Sequence, residues 1–165
     1  MKFQLVDKIE SIEPPRRIVT SKALSLAEEY LADHFPTFPV LPGVLMLEAL
    51  VQSAAWLVRV EQDFATSCIV LARARNVRYA SFVQPGSILR CEMEAIDISE
   101  TAARFKGAGY VDDNQSVSAR LDLRCFNLVE RAEHLAEADE AIRRRLRETF
   151  IIIGGPDAMR ETVST

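Results

Sequence analysis

The sequence has few residues that bind metal ions or form disulfide bonds. Its 165 residues include three cysteines and two histidines. Cys68, Cys91 and Cys125 are an odd number, and their spacing matches no metal-binding motif. We therefore expect no metal site, and we expect reduced thiols of the kind found in the cytoplasm.

An excess of positive charge is also missing. The 20 Lys and Arg residues are outnumbered by 24 Asp and Glu residues, which gives a formal net charge of -4. Proteins that bind nucleic acids non-specifically rely on many Lys and Arg contacts to phosphate, so we expect no nucleic-acid partner. The first residues, MKFQLVDKIESIEPP, carry acidic side chains and lack a long apolar run, so we expect no targeting segment.

The longest apolar stretch, residues 44–60, predicts a buried helix. Its interruptions are Glu48, Gln52, Ser53 and Arg59. Pro42 suits the first helical position, and the helix is predicted to run from about Pro42 to Asp63. The stretch is shorter than the roughly 20 residues that cross a bilayer, and a central Glu is costly in lipid, so no membrane association is expected.

Glu48 has two interpretations on such a helix. A carboxyl group taken out of water keeps its proton, which is the state that a general acid needs. However, a repeat of about 100° per residue puts four side chains on one stripe, namely Glu48, Gln52, Ala55 and Arg59. In the second interpretation this stripe simply faces water.

The loop before the helix supplies further candidate site residues. It contains three prolines that stiffen the chain, Pro36, Pro39 and Pro42. His34 at its start is a candidate base. Gly43 at its end brings an N–H group to the positive end of the helix, where it can polarise a carbonyl oxygen. A histidine next to a helix can also be purely structural, and spacing alone does not separate the two roles.

This stretch, HFPTFPVLPGVLMLEALVQ, resembles the active-site segment of FabZ-type 3-hydroxyacyl-acyl carrier protein dehydratases, GHFPGxPVMPGVLxxEAMAQ. The flanks FQLVDKI and NVRYASFVQPGSILRCEMEA are more weakly similar, so the resemblance covers about residues 3–127. It implies that His34 and Glu48 are catalytic, that Gly43 binds the thioester carbonyl, and that Gln52 supports Glu48 or merely packs. It also implies no cofactor, because the substrate is carried on the phosphopantetheine of acyl carrier protein.

The resemblance further implies an oligomer. In this family the active site lies at a homodimer interface, with its His and Glu from different subunits, and trimers of dimers occur. The acyl chain lies in an apolar tunnel between the subunits. Phe35, Phe38 and Val40 are candidates for lining that tunnel, and each is equally plausible as a core residue.

The sequence departs from the family pattern at Asp33, Thr37 and Ser87. Asp33 either places a negative charge against His34 or points into solvent. Ala80 and Ser81 stand where the family often has basic residues, so no carrier-protein contact is inferred there. Two alternatives to a dehydratase are an acyl thioesterase and a catalytically weak subunit that binds acyl carrier protein.

The rest of residues 1–129 predicts an α+β domain. Residues 3–12 and 16–24 suggest a hairpin, and Ser25 with Glu28 resembles a capping box for a short helix. From Cys68 onward apolar side chains alternate, with breaks at residues 84–86, 99–100 and 112–114. An antiparallel meander is therefore expected. A curved antiparallel sheet wrapped around one long central helix is the hotdog fold, which the resemblance also implies.

Residues 130–165 predict a C-terminal helical extension and tail. Acidic residues precede a cluster of arginines, an order that complements a helix dipole. The arginines either dock an acidic carrier protein or form a solvated face. Residues 151–153 are apolar and are expected to cover a sheet edge or a subunit contact, and disorder is expected beyond Pro156.

Overall fold

The computed structural model describes residues 3–163. Its helices and strands are, in chain order, β1 (Lys8–Glu13), β2 (Arg17–Ala23), α1 (Gly43–Glu61), β3 (Cys68–Tyr79), β4 (Ile88–Ile98), β5 (Ala102–Val111), β6 (Asn114–Phe126), α2 (Ala136–Ile152) and α3 (Gly155–Val163). Single 3-10 turns lie at Glu29–Leu31, Leu128–Glu130 and Glu133–Leu135.

The six strands form one antiparallel sheet in the order β1-β2-β4-β5-β6-β3. Strands β4 to β6 form the predicted meander. The prediction was wrong for β3, which lies at the far edge and pairs with β6 instead of β4. The long helix α1 separates β2 from β3 in the chain and packs against β2 through β6, so the two strands that flank it can join the sheet at different places.

The core lies between this sheet and α1. Alternating residues Leu89, Cys91 and Met93 of β4 are buried, as are Leu121 and Leu123 of β6. The helix buries ten residues against them: Met46, Ala49, Leu50, Val51, Ser53, Ala54, Ala55, Trp56, Leu57 and Val58. A sheet wrapped around one central helix is thus confirmed.

By length and composition, α1 is the one helix within residues 3–163 that is apolar enough to cross a membrane. It has 19 residues and a mean hydropathy of 1.4. Of its most apolar window, 56% is buried inside the fold. More than half of this window therefore has partners in the protein core, whereas Val44 is 69% exposed.

The hairpin β1–β2 is confirmed, but the short helix after it is not. Only the turn Glu29–Leu31 forms, and Ser25 Oγ accepts a hydrogen bond from the N–H of Ala27 (3.2 Å) instead of capping a helix. The Glu28 carboxylate pairs with the buried ammonium group of Lys22 at 2.7 Å. The Glu28 side chain is thus directed to Lys22, and no capping-box bond from it is observed.

Helix α2 is docked on the core by its apolar side. The Phe150 ring is buried, with its centroid 6.0 Å from that of Trp56 and 5.5 Å from that of Phe64. At the end of α2, the Ile153 carbonyl accepts a hydrogen bond from the Ile9 N–H (2.8 Å). Residue 153 therefore covers the edge of β1, one of the two expected roles of this apolar segment.

The prediction of disorder beyond Pro156 was wrong as far as Val163, because α3 forms there. Ala158 is buried, and α3 packs against β1. A short polar helix gains most of its stability from such packing, which is not visible in its own sequence. Ser164 and Thr165 lie outside the described residues. The division into residues 1–129 and 130–165 stays a prediction.

Asp139 fastens the extension to the domain. This carboxylate is 1% exposed and accepts hydrogen bonds from Ser67 Oγ and from the N–H groups of Leu128 and Val129 (both 2.9 Å). Burial raises its pKa, but these hydrogen bonds and the nearby Arg143 outweigh burial and hold the pKa below the ordinary 3.8. The charged form is therefore the form that stabilises the fold.

Asp139→Asn is expected to lower the free energy of unfolding at pH 7 by about 2 kcal/mol, because the amide NH2 group would replace one carboxylate oxygen and face a backbone N–H donor, either that of Leu128 or that of Val129. The stabilisation by Asp139 is complete above its unfolded pKa and is lost as the pH falls through the lower folded pKa, so the difference from wild type should shrink in acid. Urea unfolding at several pH values measures this. The control is Asp157→Asn, whose side chain is exposed. Equal stability of Asp139→Asn and wild type at pH 7 would refute the role.

Candidate active site

The proline-rich loop holds His34 at both its main chain and its side chain. The Val40 N–H donates to the His34 carbonyl, and His34 Nδ1 lies 3.1 Å from the Val40 carbonyl oxygen. Because a carbonyl oxygen only accepts, Nδ1 carries the hydrogen, and in the neutral ring Nε2 keeps its lone pair. The half-buried imidazole also stacks on Phe35, with ring centroids 4.2 Å apart. Nε2 is therefore the nitrogen available to remove a proton.

The start of α1 offers N–H groups that have no intrahelical acceptor. The first bonds of the helix run from the N–H groups of Leu45 and Met46 to the Pro42 carbonyl. The N–H groups of Gly43 and Val44 come before these bonds and lie at the positive end of the helix dipole. Pro42 itself is the residue just before the helix, one position earlier than predicted.

Gly43 lies in a close approach to a ring. A Cβ atom at this position would lie 3.1 to 3.3 Å from three atoms of the Tyr79 ring. A side chain there would therefore need the ring to shift by a few tenths of an ångström. The absence of a side chain leaves the N–H of Gly43 open to a ligand carbonyl, as an oxyanion-binding group requires.

Glu48 is oriented by Gln52, one turn further along α1. Gln52 Nε2 donates to Glu48 Oε1 at 3.0 Å and to the Phe3 carbonyl at 3.1 Å, while the Leu5 N–H donates to Gln52 Oε1 at 2.9 Å. The N-terminal main chain thus fixes which way the amide points. Glu48 is half-buried in the single chain, and its second oxygen, Oε2, is left for a ligand.

Glu48 and Gln52 line a cleft of about 470 Å³ between α1 and α2. Its other lining residues are Phe3, Gln4, Val51, Ala55, Trp56, Arg59, Ile69, Ile142, Arg145, Leu146 and Thr149. None of residues 34–40 lines it. Within the described chain, therefore, the His34 loop does not contribute to the cleft that Glu48 lines.

The candidate tunnel residues differ in exposure. Val40 is completely buried, whereas Phe35 is 50% and Phe38 is 43% exposed. Phe38 packs edge-to-face on the exposed ring of Phe82, at 5.6 Å. Phe35 stacks on His34, and the exposed Tyr79 ring lies against Gly43. We call these four exposed rings, Phe35, Phe38, Tyr79 and Phe82, the aromatic patch. An exposed apolar surface of this kind indicates a contact with a ligand or another subunit.

Strand β3 is also open on one side. It has 12 residues, pairs with β6, and forms one edge of the sheet within residues 3–163. A long exposed edge strand presents unpaired N–H and C=O groups that can bind a second chain. Tyr79, at the end of β3, connects this edge with the aromatic patch.

Of the residues that depart from the family pattern, Asp33 is exposed, in agreement with the interpretation that it points into solvent. Ser87 follows a turn in which Gly86 has a φ of 89°. The Ser87 carbonyl accepts a hydrogen bond from the Leu24 N–H.

Within the described part of the chain, no group of three or more His, Cys, Asp or Glu residues is arranged to hold a metal ion.

Some site features could not be read from the sequence. The carbonyl of Val40 orients His34, although only its side chain had been considered. Tyr79 packs behind Gly43 from a strand 36 residues away in the chain, and no local pattern indicates that contact. Two α2 residues, Ile142 and Leu146, line the Glu48 cleft, a contact that no pattern within residues 130–165 indicates.

The architecture is that of the hotdog-fold proteins. Solved structures with this fold include the dehydratase heterocomplex ApeI:P from Xenorhabdus doucetiae, with a TM-score of 0.65 and 19% identity over 81% of this chain and 90% of that one. A second is smu.793 from Streptococcus mutans bound to acetyl CoA, with a TM-score of 0.57 and 11% identity over 77% and 93%. At these identities the likeness shows the fold.

Sequence comparison shows the family. The model of the FabA-like domain matches residues 1–120, and the chain belongs to this family. Similar relatives are the 3-hydroxyacyl-[acyl-carrier-protein] dehydratases FabZ of Pelotomaculum thermopropionicum (38% identical, covering 72% of this chain and 85% of the relative) and Symbiobacterium thermophilum (35%, covering 79% and 89%). The predicted hotdog fold and dehydratase family are confirmed.

Proposed function

We propose that this protein dehydrates (3R)-3-hydroxyacyl-acyl carrier protein to the trans-2-enoyl thioester in the cytoplasm, in fatty-acid synthesis or a related lipid or polyketide route. The relatives carry this activity in their names. The observation that supports it most directly is the fixed state of two groups: His34 with Nε2 free, and Glu48 held by Gln52. These are a positioned base and a positioned acid.

The reaction needs one proton removed and one proton supplied. His34 Nε2 removes a proton from C2, and the negative charge that develops on the thioester oxygen is stabilised by the Gly43 N–H at the helix N-terminus. Glu48 gives its proton to the C3 hydroxyl group as the C3–O bond breaks, and water leaves. Proton exchange with solvent then returns His34 to its neutral form and Glu48 to its protonated form. No cofactor is required, since the electrons of the C2–H bond become the new double bond.

The site is proposed to form between two copies of the chain. Within one chain, no residue of the His34 loop lines the Glu48 cleft. A substrate that contacts both catalytic residues therefore requires that a second subunit supply either the His34 or the Glu48. The open edge of β3 and the aromatic patch next to it offer the surface for such a dimer. Phe35 and Phe38 would then line the tunnel, and dimers would be free to associate further into a trimer of dimers.

The test is direct. The purified protein, incubated with a 3-hydroxyacyl thioester of phosphopantetheine on acyl carrier protein, should produce the absorbance of a conjugated enoyl thioester. Release of free thiol without that absorbance would indicate a thioesterase instead. If neither product forms while carrier protein still binds, the chain is a binding subunit and the proposal is wrong.

A further inference from the structure

The cleft beside Glu48 continues along α1 to a second charged residue. Arg59 lies eleven residues after Glu48 on the same stripe, which is about 16 Å further along the helix axis. Apolar lining residues come from α1, β3 and α2: Val51, Ala55, Trp56, Ile69, Ile142 and Leu146. Gln4, Gln52 and Thr149 also line the cleft. The cleft is thus a mixed groove that runs from a carboxyl group to a cation.

Arg59 has no counter-ion within residues 3–163. Its Nε atom is buried without a hydrogen-bond acceptor, and its guanidinium lies over the Trp56 ring at 5.2 Å. Burial lowers the pKa of Arg59 to about 10, so the side chain is still charged at neutral pH. Buried arginines are normally paired with carboxylates, because a guanidinium has five donors and no acceptor. The open end of the guanidinium therefore lacks an anion.

A second cation lines the same cleft. Arg145 of α2 is an exposed lining residue and forms no ion pair within the described chain. The carboxyl group of the cleft, Glu48, is already hydrogen-bonded to Gln52. An anion that enters the cleft therefore finds two guanidinium groups in its walls.

We infer that this cleft accepts the distal part of an acyl chain that ends in a carboxylate, and that Arg59 and Arg145 bind that carboxylate. The inference rests on the proposed function, which places the reacting carbons at Glu48. An extended chain gains about 1.2 Å per bond, so a carboxylate roughly ten to thirteen bonds from the reacting carbons reaches Arg59. A methyl-ended chain of the same length leaves both cations unpaired, which gives selectivity between the two.

The C-terminal extension provides part of the groove on which this selectivity depends. The family model ends at residue 120, whereas Arg145, Ile142 and Leu146 all come from α2. Phe150 docks α2 beside the groove by packing on the Trp56 ring. A chain without the extension would lack the wall that Ile142, Arg145 and Leu146 provide.

Trp56 provides a test that does not depend on turnover, because it is the single tryptophan of the chain and lines the cleft. The full-length protein is titrated with two saturated acyl-pantetheines of about fourteen carbons, one ending in a methyl group and one in a carboxylate. Trp56 fluorescence should report binding of the carboxylate-ended chain that is at least about tenfold tighter. Arg59→Met should remove this preference, and Arg145→Met should reduce it.

The matched control is Arg144→Met, which removes the same charge from an exposed position of α2 outside the cleft and should keep the preference. Thermal unfolding checks that each variant is folded. Equal or tighter binding of the methyl-ended chain by the wild type would overturn the inference, as would a preference that survives in both Arg59→Met and Arg145→Met, or no Trp56 response to either chain. Dehydration of a methyl-ended 3-hydroxyacyl thioester is assayed separately and decides the proposed function alone.

Discussion

Replacement of His34 by Ala is expected to lower the rate of elimination from a 3-hydroxyacyl thioester by at least about a hundredfold, the size of effect expected when one general base is lost. The reason is local. Val40 holds Nδ1 through its carbonyl, so the proton on C2 has a single imidazole acceptor, Nε2. The measurement is the initial rate of enoyl absorbance at saturating substrate, which follows kcat.

The only other histidine makes a matched control. His134 lies in the turn Glu133–Leu135 and is exposed. His134→Ala should therefore turn over substrate at the wild-type rate. If His34→Ala also kept that rate, His34 would be a structural residue of the loop, and the proton on C2 would need another acceptor.

Glu48→Gln is expected to reduce elimination by a similar factor, at least about a hundredfold. The amide fits the same space and can keep a hydrogen bond to Gln52, but it has no proton to give to the departing hydroxyl group. Binding should change little, so the loss should appear in kcat more than in KM. A substrate with a better leaving group at C3 should recover part of the lost rate, because it needs less proton transfer.

Glu61→Gln is the control for this change, since Glu61 is an exposed residue at the end of the same helix. It should have no effect on kcat. Full activity of Glu48→Gln would show that the carboxyl group is part of a solvated helix stripe, the second interpretation that the sequence allows.

The parts of the fold that local patterns determine were predictable. The run of apolar residues after Pro42 predicted α1 to within about two residues, and the alternation in β4 and β6 predicted strands with one buried face. The position of β3 was not predictable in this way. Its pairing with β6 joins residues such as Cys68 and Phe126, far apart in the chain, and single-strand patterns carry no information about such partners.

Local signals were misleading where a distant residue competes for the same group. Ser25 and Glu28 have the spacing of a capping box, but buried Lys22 takes the Glu28 carboxylate. Asp139 is an acidic residue in the first turn of a helix, a position where Asp is common and usually exposed. Here it is buried and anchors the extension through a hydrogen bond from Ser67. In both places the tertiary partner determines the outcome, and the sequence window around the residue does not contain it.

The candidate site shows the same division. His34, Gly43 and Glu48 could be named as candidates because loop rigidity, a helix start and an isolated acid on an apolar helix are local features, while their catalytic roles are implied by the family resemblance and stay predictions. The cleft was not, because it depends on α2 packing across α1. The residues alone also do not predict that His34 and Glu48 of one site come from different subunits. That expectation came from the family resemblance.

The central claim is that one site is built from His34 of one subunit and Glu48 of another, and subunit mixing tests it most directly. His34→Ala and Glu48→Gln proteins, each inactive alone, are unfolded, combined in equal amounts and refolded together. Random pairing makes half of the dimers mixed, and each mixed dimer has one intact site of two, so about a quarter of wild-type activity should return. If the mixture stays as inactive as its two components although mixed dimers are present, the two residues do not act across the interface and the claim is wrong.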